Sequence, residues 1–425
     1  MITRTKNLKR SLCIAAFIFS WLIIIPRVFA QPQIHSDGSV TFTFHSPHAR
    51  KVRLVGSFSE KKLQMQRQGN LFTFTTQLLA SEMYTYYYIV DGKTLLDPKN
   101  DYVTRDVNLR MNFFFVPGKE ADRYIDHEVA HGQIDSVWYF STLNGMSQRR
   151  MLVYTPPNYS TDSTTTYPVL YLHHGSGGDE TSWTDYGRAC QIFDNMISRQ
   201  EIPPLIVCMP NGNVELDAAP GESPYMHKPP SASNLTSMVG KYENSFPNEI
   251  VRYIETHYRV KVDKSHRAIA GLSMGGLHAL YISLNNPQMF DFVGLFSAQT
   301  SNMLTKERIF KVERFNYNMQ RIRYVMAIMG DRVARPMTLS DKLSCIYIYD
   351  NIEEKLAAQF NPAPRLYYMA IGRDDFLQSM NRSYRILLDS HHYPYTFVET
   401  DGDHSWENWR TYLIDFLQRI SPYWR

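Results

Sequence analysis

The segment Ala268-Ile269-Ala270-Gly271-Leu272-Ser273-Met274-Gly275-Gly276 constrains the fold more than any other stretch of this 425-residue chain. A short apolar run, typical of a buried strand, leads into G-x-S-x-G. A helical pattern over 276–286 follows. In that strand–turn–helix context the serine stands on a tight, strained turn, and its hydroxyl projects above the sheet at a helix N-terminus. Gly271 and Gly275 are needed because strand and helix meet too closely for side chains. The five-residue pattern alone also occurs as a plain Gly-rich turn, so its setting gives it weight.

The rest of the chain falls into two periods. Over about 37–117, Val40, Phe42 and Phe44 alternate with Thr41 and Thr43. Similar runs recur at 52–55, 71–74, 83–90 and 111–116, separated by turn pairs such as Asp37-Gly38, Gly69-Asn70 and Asp91-Gly92. This predicts an antiparallel β-sandwich over 31–118. Tyr84, Tyr86, Tyr87 and Tyr88 alternate faces there, so at least half belong to a core. A polar linker, 119–130, leads to a region of alternating strands and helices over 131–425. Apolar strands are expected at 169–173, 205–209, 268–271, 292–296, 366–371 and 395–399, with helices near 243–258, 276–286, 346–359, 377–389 and 407–419. That alternation predicts an α/β fold with a mostly parallel sheet covered on both faces.

A serine hydroxyl is a weak nucleophile and needs a general base. In α/β-hydrolases the chain order is serine, acid, histidine. His404 lies just after the last expected strand, whereas His391 and His392 precede it at a helix end. His404 is therefore the expected base. The acid must orient that imidazole. Asp374 and Asp375 both follow the strand at 366–371, with Asp375 preferred, and Asp331 is a rival after another apolar run at 325–329. The developing oxyanion needs donors. The amide of Met274 is one, and the loop His174-Gly175-Ser176-Gly177-Gly178 offers the other at Ser176, with Gly177 next. Trp183 and Trp406 are candidate substrate-binding residues, and Trp409 reads as core.

The segments 167–175, 271–276, 372–377 and 404–410 together resemble the esterase family that includes esterase D, enterochelin esterase and the mycolyltransferases. They are most similar to carbohydrate esterase family 1, the feruloyl and acetylxylan esterases, over about 131–425. Residues 37–117 resemble the early-set immunoglobulin-like module of carbohydrate-binding module family 48. The resemblance implies an α/β-hydrolase with Ser273, Asp375 and His404 as nucleophile, acid and base. In that family the acid follows the glycine by three positions, which favours Asp375. Two positions depart from the pattern: Asp403 replaces a glycine before the base, and 301–345 is longer than the usual connector.

The net charge of +4 comes from 45 basic against 41 acidic residues. Arg4, Lys6, Lys9, Arg10 and Arg27 all lie in 1–30, which has no acid. Without them the count is 40 against 41, a net −1, which gives no electrostatic case for nucleic acid. The basic start, the apolar run 12–25 and Val28-Phe29-Ala30 predict a signal peptide cleaved near Ala30. Pro26-Arg27 cuts the run short of a spanning helix, so no stable membrane anchor is expected. The three cysteines beyond it, Cys190, Cys208 and Cys345, permit at most one disulfide and show no metal spacing.

The expected protein is thus an exported periplasmic or secreted serine esterase acting on feruloylated or acetylated xylan, with no metal or cofactor. Two alternatives remain: a siderophore or other small-ester hydrolase or acyltransferase, and a catalytically idle glycan-binding protein.

Overall fold

The computed structural model describes residues 32–143, 146–214, 216–224, 240–300 and 345–425. The expected signal peptide, Asp331 and nearly all of 301–345 lie outside the described residues.

The first ten strands are β1 (Gln33–Ile34), β2 (Val40–His45), β3 (Val52–Gly56), β4 (Leu63–Gln64), β5 (Gln66–Gln68), β6 (Leu71–Thr75), β7 (Glu82–Val90), β8 (Lys93–Leu95), β9 (Val103–Asp106) and β10 (Leu109–Val116). They form two sheets, ordered β1-β2-β6-β5 and β4-β3-β7-β10-β9, with β8 beside β7. The alternation in sequence explains the layering. Val40, Phe42 and Phe44 turn inward, while Thr41 and Thr43 pair across the other face with Thr75 and Thr73. Tyr86 and Tyr88 are fully buried in the sandwich core, and both hydroxyls donate to the Asp97 carboxylate. They are structural and form no exposed aromatic platform.

The region 119–130, expected as a linker, is a strap. Ala121 and Tyr124 are buried. Asn195 donates to the carbonyls of Arg123 and Ile125, and Arg188 to that of Tyr124. These partners lie some seventy residues away in sequence, which is why local composition read the segment as a polar connector.

Eight further strands make one sheet: β11 (Gln133–Phe140), β12 (Gln148–Thr155), β13 (Val169–His173), β14 (Ile206–Pro210), β15 (Arg267–Leu272), β16 (Phe292–Phe296), β17 (Leu366–Gly372) and β18 (Thr396–Thr400), in the order β11-β12-β14-β13-β15-β16-β17-β18. β12 runs antiparallel to both of its neighbours, β11 and β14, and the six strands from β13 to β18 pair in parallel. Strands β13, β14 and β16 are buried at every position, as a sheet covered on both faces requires.

The helices are α1 (Ser182–Asp185), α2 (Ala189–Ser198), α3 (Lys241–Phe246), α4 (Arg252–His257), α5 (Met274–Asn285), α6 (Ile352–Gln359), α7 (Gln378–Ser390) and α8 (Trp406–Trp424). The core on one sheet face continues into the sandwich: Met83, Met111 and Phe113 share a cluster with Leu170, Trp183, Ala270 and Trp409. Arg410, fully buried, crosses this junction, donating to Glu82 Oε1 at 2.9 Å and to the Tyr186 carbonyl at 3.0 Å. Among the described residues no helix is long and apolar enough to cross a membrane.

Candidate active site

Ser273 joins β15 to α5 with φ +54° and ψ −115°. Such a backbone costs a non-glycine residue about 1–3 kcal/mol and persists only where its surroundings hold it. The hold is visible. The Ser273 amide donates to the Phe296 carbonyl at 2.9 Å, and its carbonyl accepts from Gln299 at 3.1 Å. A Cβ on Gly271 would lie 2.3 Å from the Gly275 carbonyl oxygen. One on Gly275 would lie 2.4 Å from the His174 carbonyl oxygen. Both glycines are therefore dictated by backbone contact, as the motif implied. The Met274 amide is the first of α5, where helix geometry directs N–H groups outward from the N-terminus.

Asp375 and His404 meet at the ends of the next strands. His404 Nδ1–H donates to Asp375 Oδ2 at 2.8 Å, and the Leu377 amide donates to Oδ1 at 2.9 Å. Asp375 is buried, whereas Asp374 is exposed and bonds only through its amide to the Gly402 carbonyl. Burial opposes ionisation of Asp375. The bonds from His404 and Leu377, together with the His404 charge and the Ser297 hydroxyl, outweigh it and hold the carboxyl below the usual carboxylate range. Such an acid stays ionised and can hold a cationic imidazole. Asp403 is exposed, and its backbone carbonyl accepts from Asn408. The Ser273 hydroxyl and His404 make no direct hydrogen bond; contacts of this kind commonly tighten only with substrate. His391 and His392 are exposed, following α7.

The loop after β13 lies against the serine: a Cβ on Gly175 would stand 3.4 Å from Ser273 Cβ. The Gly175 carbonyl accepts from His174 Nδ1–H at 2.7 Å and from the Gly178 amide at 3.1 Å. In a trans peptide the following N–H points the opposite way, so the Ser176 amide is turned away from that turn. Gly177 supplies the φ of +77° that closes it. His174 Nε2 accepts from the Gly212 amide at 2.8 Å, which fixes the tautomer. Burial holds the His174 imidazole down to about 4, so it stays neutral near pH 7.

The structure corrects two expectations. Trp183 is 1% exposed, and its indole N–H donates to the His173 carbonyl at 3.0 Å. Trp406 is 6% exposed and packs edge-on against Trp183 and Trp409. Both are core residues that support the loops and present almost no surface to a substrate. Trp409 is buried as expected, its ring 4.9 Å from that of His404. The residue the sequence reading missed is Phe376. It is 74% exposed, with its ring 4.5 Å from His404 on the solvent side. The only signal was a large aromatic beside the acid, in a loop with no period to bury it.

A mostly parallel, helix-covered sheet with a strained serine elbow, a histidine–aspartate pair on later strand ends and a glycine-rich loop defines an α/β-hydrolase. The family model described as "Putative esterase" matches residues 144–420, and the chain belongs to that family. The model described as the glycogen recognition site of AMP-activated protein kinase matches residues 39–122. The chain is 31% identical over 277 residues to an endo-1,4-β-xylanase/feruloyl esterase of Xylanibacter ruminicola, covering 63% of this chain and 36% of that protein. It therefore spans about a third of that relative's length. It is 25% identical over 257 residues to an acetyl esterase of Caldicellulosiruptor saccharolyticus, covering 60% of this chain and 83% of that one. In structure it resembles the enterobactin esterase of Shigella flexneri, with a TM-score of 0.58 and 15% identity over 90% of this chain and 92% of that one.

Proposed function

We propose that this chain is an exported serine esterase that removes feruloyl or acetyl groups from plant polysaccharide, chiefly xylan. The observation that carries this reading is the 2.8 Å bond from His404 to a buried Asp375, together with a serine elbow held at φ +54°. Ser273 Oγ attacks the ester carbonyl while His404 Nε2 takes its proton. The amides of Met274 and Ser176, with Gly177 adjacent, receive the oxyanion, and losing one such donor typically costs about a hundred- to a thousand-fold in rate. The tetrahedral intermediate collapses. His404 returns the proton to the departing sugar hydroxyl, leaving an acyl group on Ser273. Water, deprotonated by His404, then releases the carboxylic acid. Asp375 keeps the imidazole in the productive tautomer throughout. Phe376, exposed beside His404, is the wall against which an aromatic acyl group would lie.

The substrate class is supported by the relative whose name joins xylanase to feruloyl esterase and by the acetyl esterase. Export is supported by the basic and apolar pattern of 1–30. The sandwich is the part that would engage glycan. The test is hydrolysis of methyl ferulate, p-nitrophenyl acetate and a catecholate siderophore ester by the wild type and Ser273→Ala. Ferulate release lost in the variant is expected. Turnover of acetate alone moves the substrate to acetylated glycans. Turnover of the siderophore ester alone overturns the polysaccharide reading. No turnover of any ester, with glycan still bound, overturns the catalytic one.

A further inference from the structure

The loop that carries Ser176 is anchored from the opposite part of the molecule. Arg105 lies on β9 of the sandwich. Its Nη2 donates to Asp179 Oδ2 at 2.7 Å, to Asp179 Oδ1 at 2.9 Å and to Thr181 Oγ1 at 2.8 Å. Its Nη1 donates to the Val107 carbonyl at 2.7 Å, which holds the guanidinium in place. The Asp179 side chain is 2% exposed and that of Arg105 20%. Asp179 also organises the start of α1: its Oδ1 accepts from the Thr181 amide and hydroxyl, and its own amide donates to Ser182 Oγ.

The loop's remaining ties lead elsewhere. Glu180 Oε2 accepts from Asn211 at 2.9 Å, and Oε1 accepts from the Ala219 amide at 2.8 Å. Asn213 donates to the Gly178 carbonyl. Two neighbouring carboxylates are thus buried three and four residues after Ser176. Among the described residues, Asp179 pairs with a basic side chain only from the sandwich, and Glu180 faces Arg150 at 3.8 Å. Burial and the charge of Asp179 push Glu180 up to about 7, which reflects how crowded the two acids are. Without Arg105, the Asp179 carboxylate is left buried and uncompensated. The shortest way to return it to water is to pull residues 178–181 outward, and the closed Gly175–Gly178 turn moves with them.

We propose that Arg105 is a positioning residue for ester hydrolysis: through Asp179, the sandwich sets the place of the Ser176 amide at the oxyanion. The sandwich is then part of the catalytic machinery, whatever glycan it binds. The proposal rests on the reading of Ser273 and Ser176 given above.

The test is steady-state kinetics of the full chain on p-nitrophenyl acetate, with the rate of Ser273 labelling by a fluorophosphonate. Arg105→Ala is expected to lower kcat and the labelling rate about ten- to a hundred-fold, within the cost of losing one oxyanion donor, with KM within about threefold. Arg105→Lys keeps the charge but lacks the second nitrogen that anchors the side chain on the Val107 carbonyl, and it recovers part of the loss. Adding Asp179→Asn to Arg105→Ala removes the stranded charge and also restores part of kcat. Arg188→Gln breaks other contacts of the hydrolase part, to the Phe113 and Phe115 rings of the sandwich and to the Tyr124 carbonyl and Asp126 of the strap. It lowers Tm and leaves kcat within about twofold. Unchanged kcat in Arg105→Ala, a change in KM alone, or an equal kcat loss in Arg188→Gln overturns the proposal. If Arg105→Ala does not fold, Arg105→Lys decides: an unaltered kcat refutes it. A wild type that turns over ester with no label on Ser273 overturns the reading of the site, and the proposal with it.

Discussion

Trp183 separates a supporting role from a binding one. Its side chain is 1% exposed, stacked edge-on at 5.3 Å against Trp406 and bonded through its indole N–H to the His173 carbonyl. His173 is the last residue of β13 and directly precedes the loop that carries Ser176. Trp183→Ala removes a fully buried indole, a change that costs about 3–5 kcal/mol. Trp183→Phe keeps most of the packing and loses one hydrogen bond, about 1–2 kcal/mol. At roughly 2–3 °C per kcal/mol for a unit of this size, the low end because the shift shrinks as a domain grows, Tm falls by roughly 6–15 °C in the alanine variant. In the phenylalanine variant it falls by about 2–6 °C. The assay is thermal unfolding of each variant beside its KM for methyl ferulate. Trp183→Phe is expected to keep KM within about twofold. A roughly tenfold rise in KM with an unmoved Tm would mean that the indole touches substrate, and the core assignment would be wrong.

Two further outcomes follow from the same geometry. Gly275→Ala forces a Cβ to within 2.4 Å of the His174 carbonyl oxygen and 2.6 Å of that of His173. The elbow and the glycine-rich loop must then separate. A folded variant, checked by circular dichroism, should lose about a hundred-fold or more in kcat, and a loss under about threefold would contradict the contact. Glu180 is raised from 4.5 to about 7 in the folded chain. The stability linked to its proton is therefore fully present below about pH 4.5 and lost as pH rises through about 7, at most about 3 kcal/mol. Glu180→Gln removes that dependence, so its Tm relative to wild type should climb between pH 5 and pH 8; a flat difference refutes the assignment.

The parts of the site that are local in sequence were legible. Gly271, Ser273 and Gly275 occupy a single turn, and the contacts that demand glycine lie between adjacent elements. The parallel strands were legible as apolar runs because both faces are covered. β11 and β12 were missed: β11 mixes exposed polar residues with Val137 and Tyr139, and nothing local marks it as a sheet edge. Asp374 and Asp375 sit side by side in one loop; the spacing of the family resemblance favoured Asp375, and burial and the bond to His404 separate the two. Trp183 was misread because an indole after a glycine-rich loop looks the same whether it lines a cleft or props its wall. The strap at 119–130 and the Arg105–Asp179 pair depend on partners more than sixty residues away, Arg105 and Asp179 being 74 apart. No periodicity reports such contacts.

The central claim is that Ser273, activated by His404, carries the acyl group. The direct measurement is rapid acid quenching of the wild type and of Ser273→Ala during turnover of p-nitrophenyl acetate, followed by peptide mass spectrometry. The account predicts one acetyl group on the peptide containing Ser273 and none in the variant. An acetyl group on another residue, or Ser273→Ala turning over ester at the wild-type rate, would contradict it.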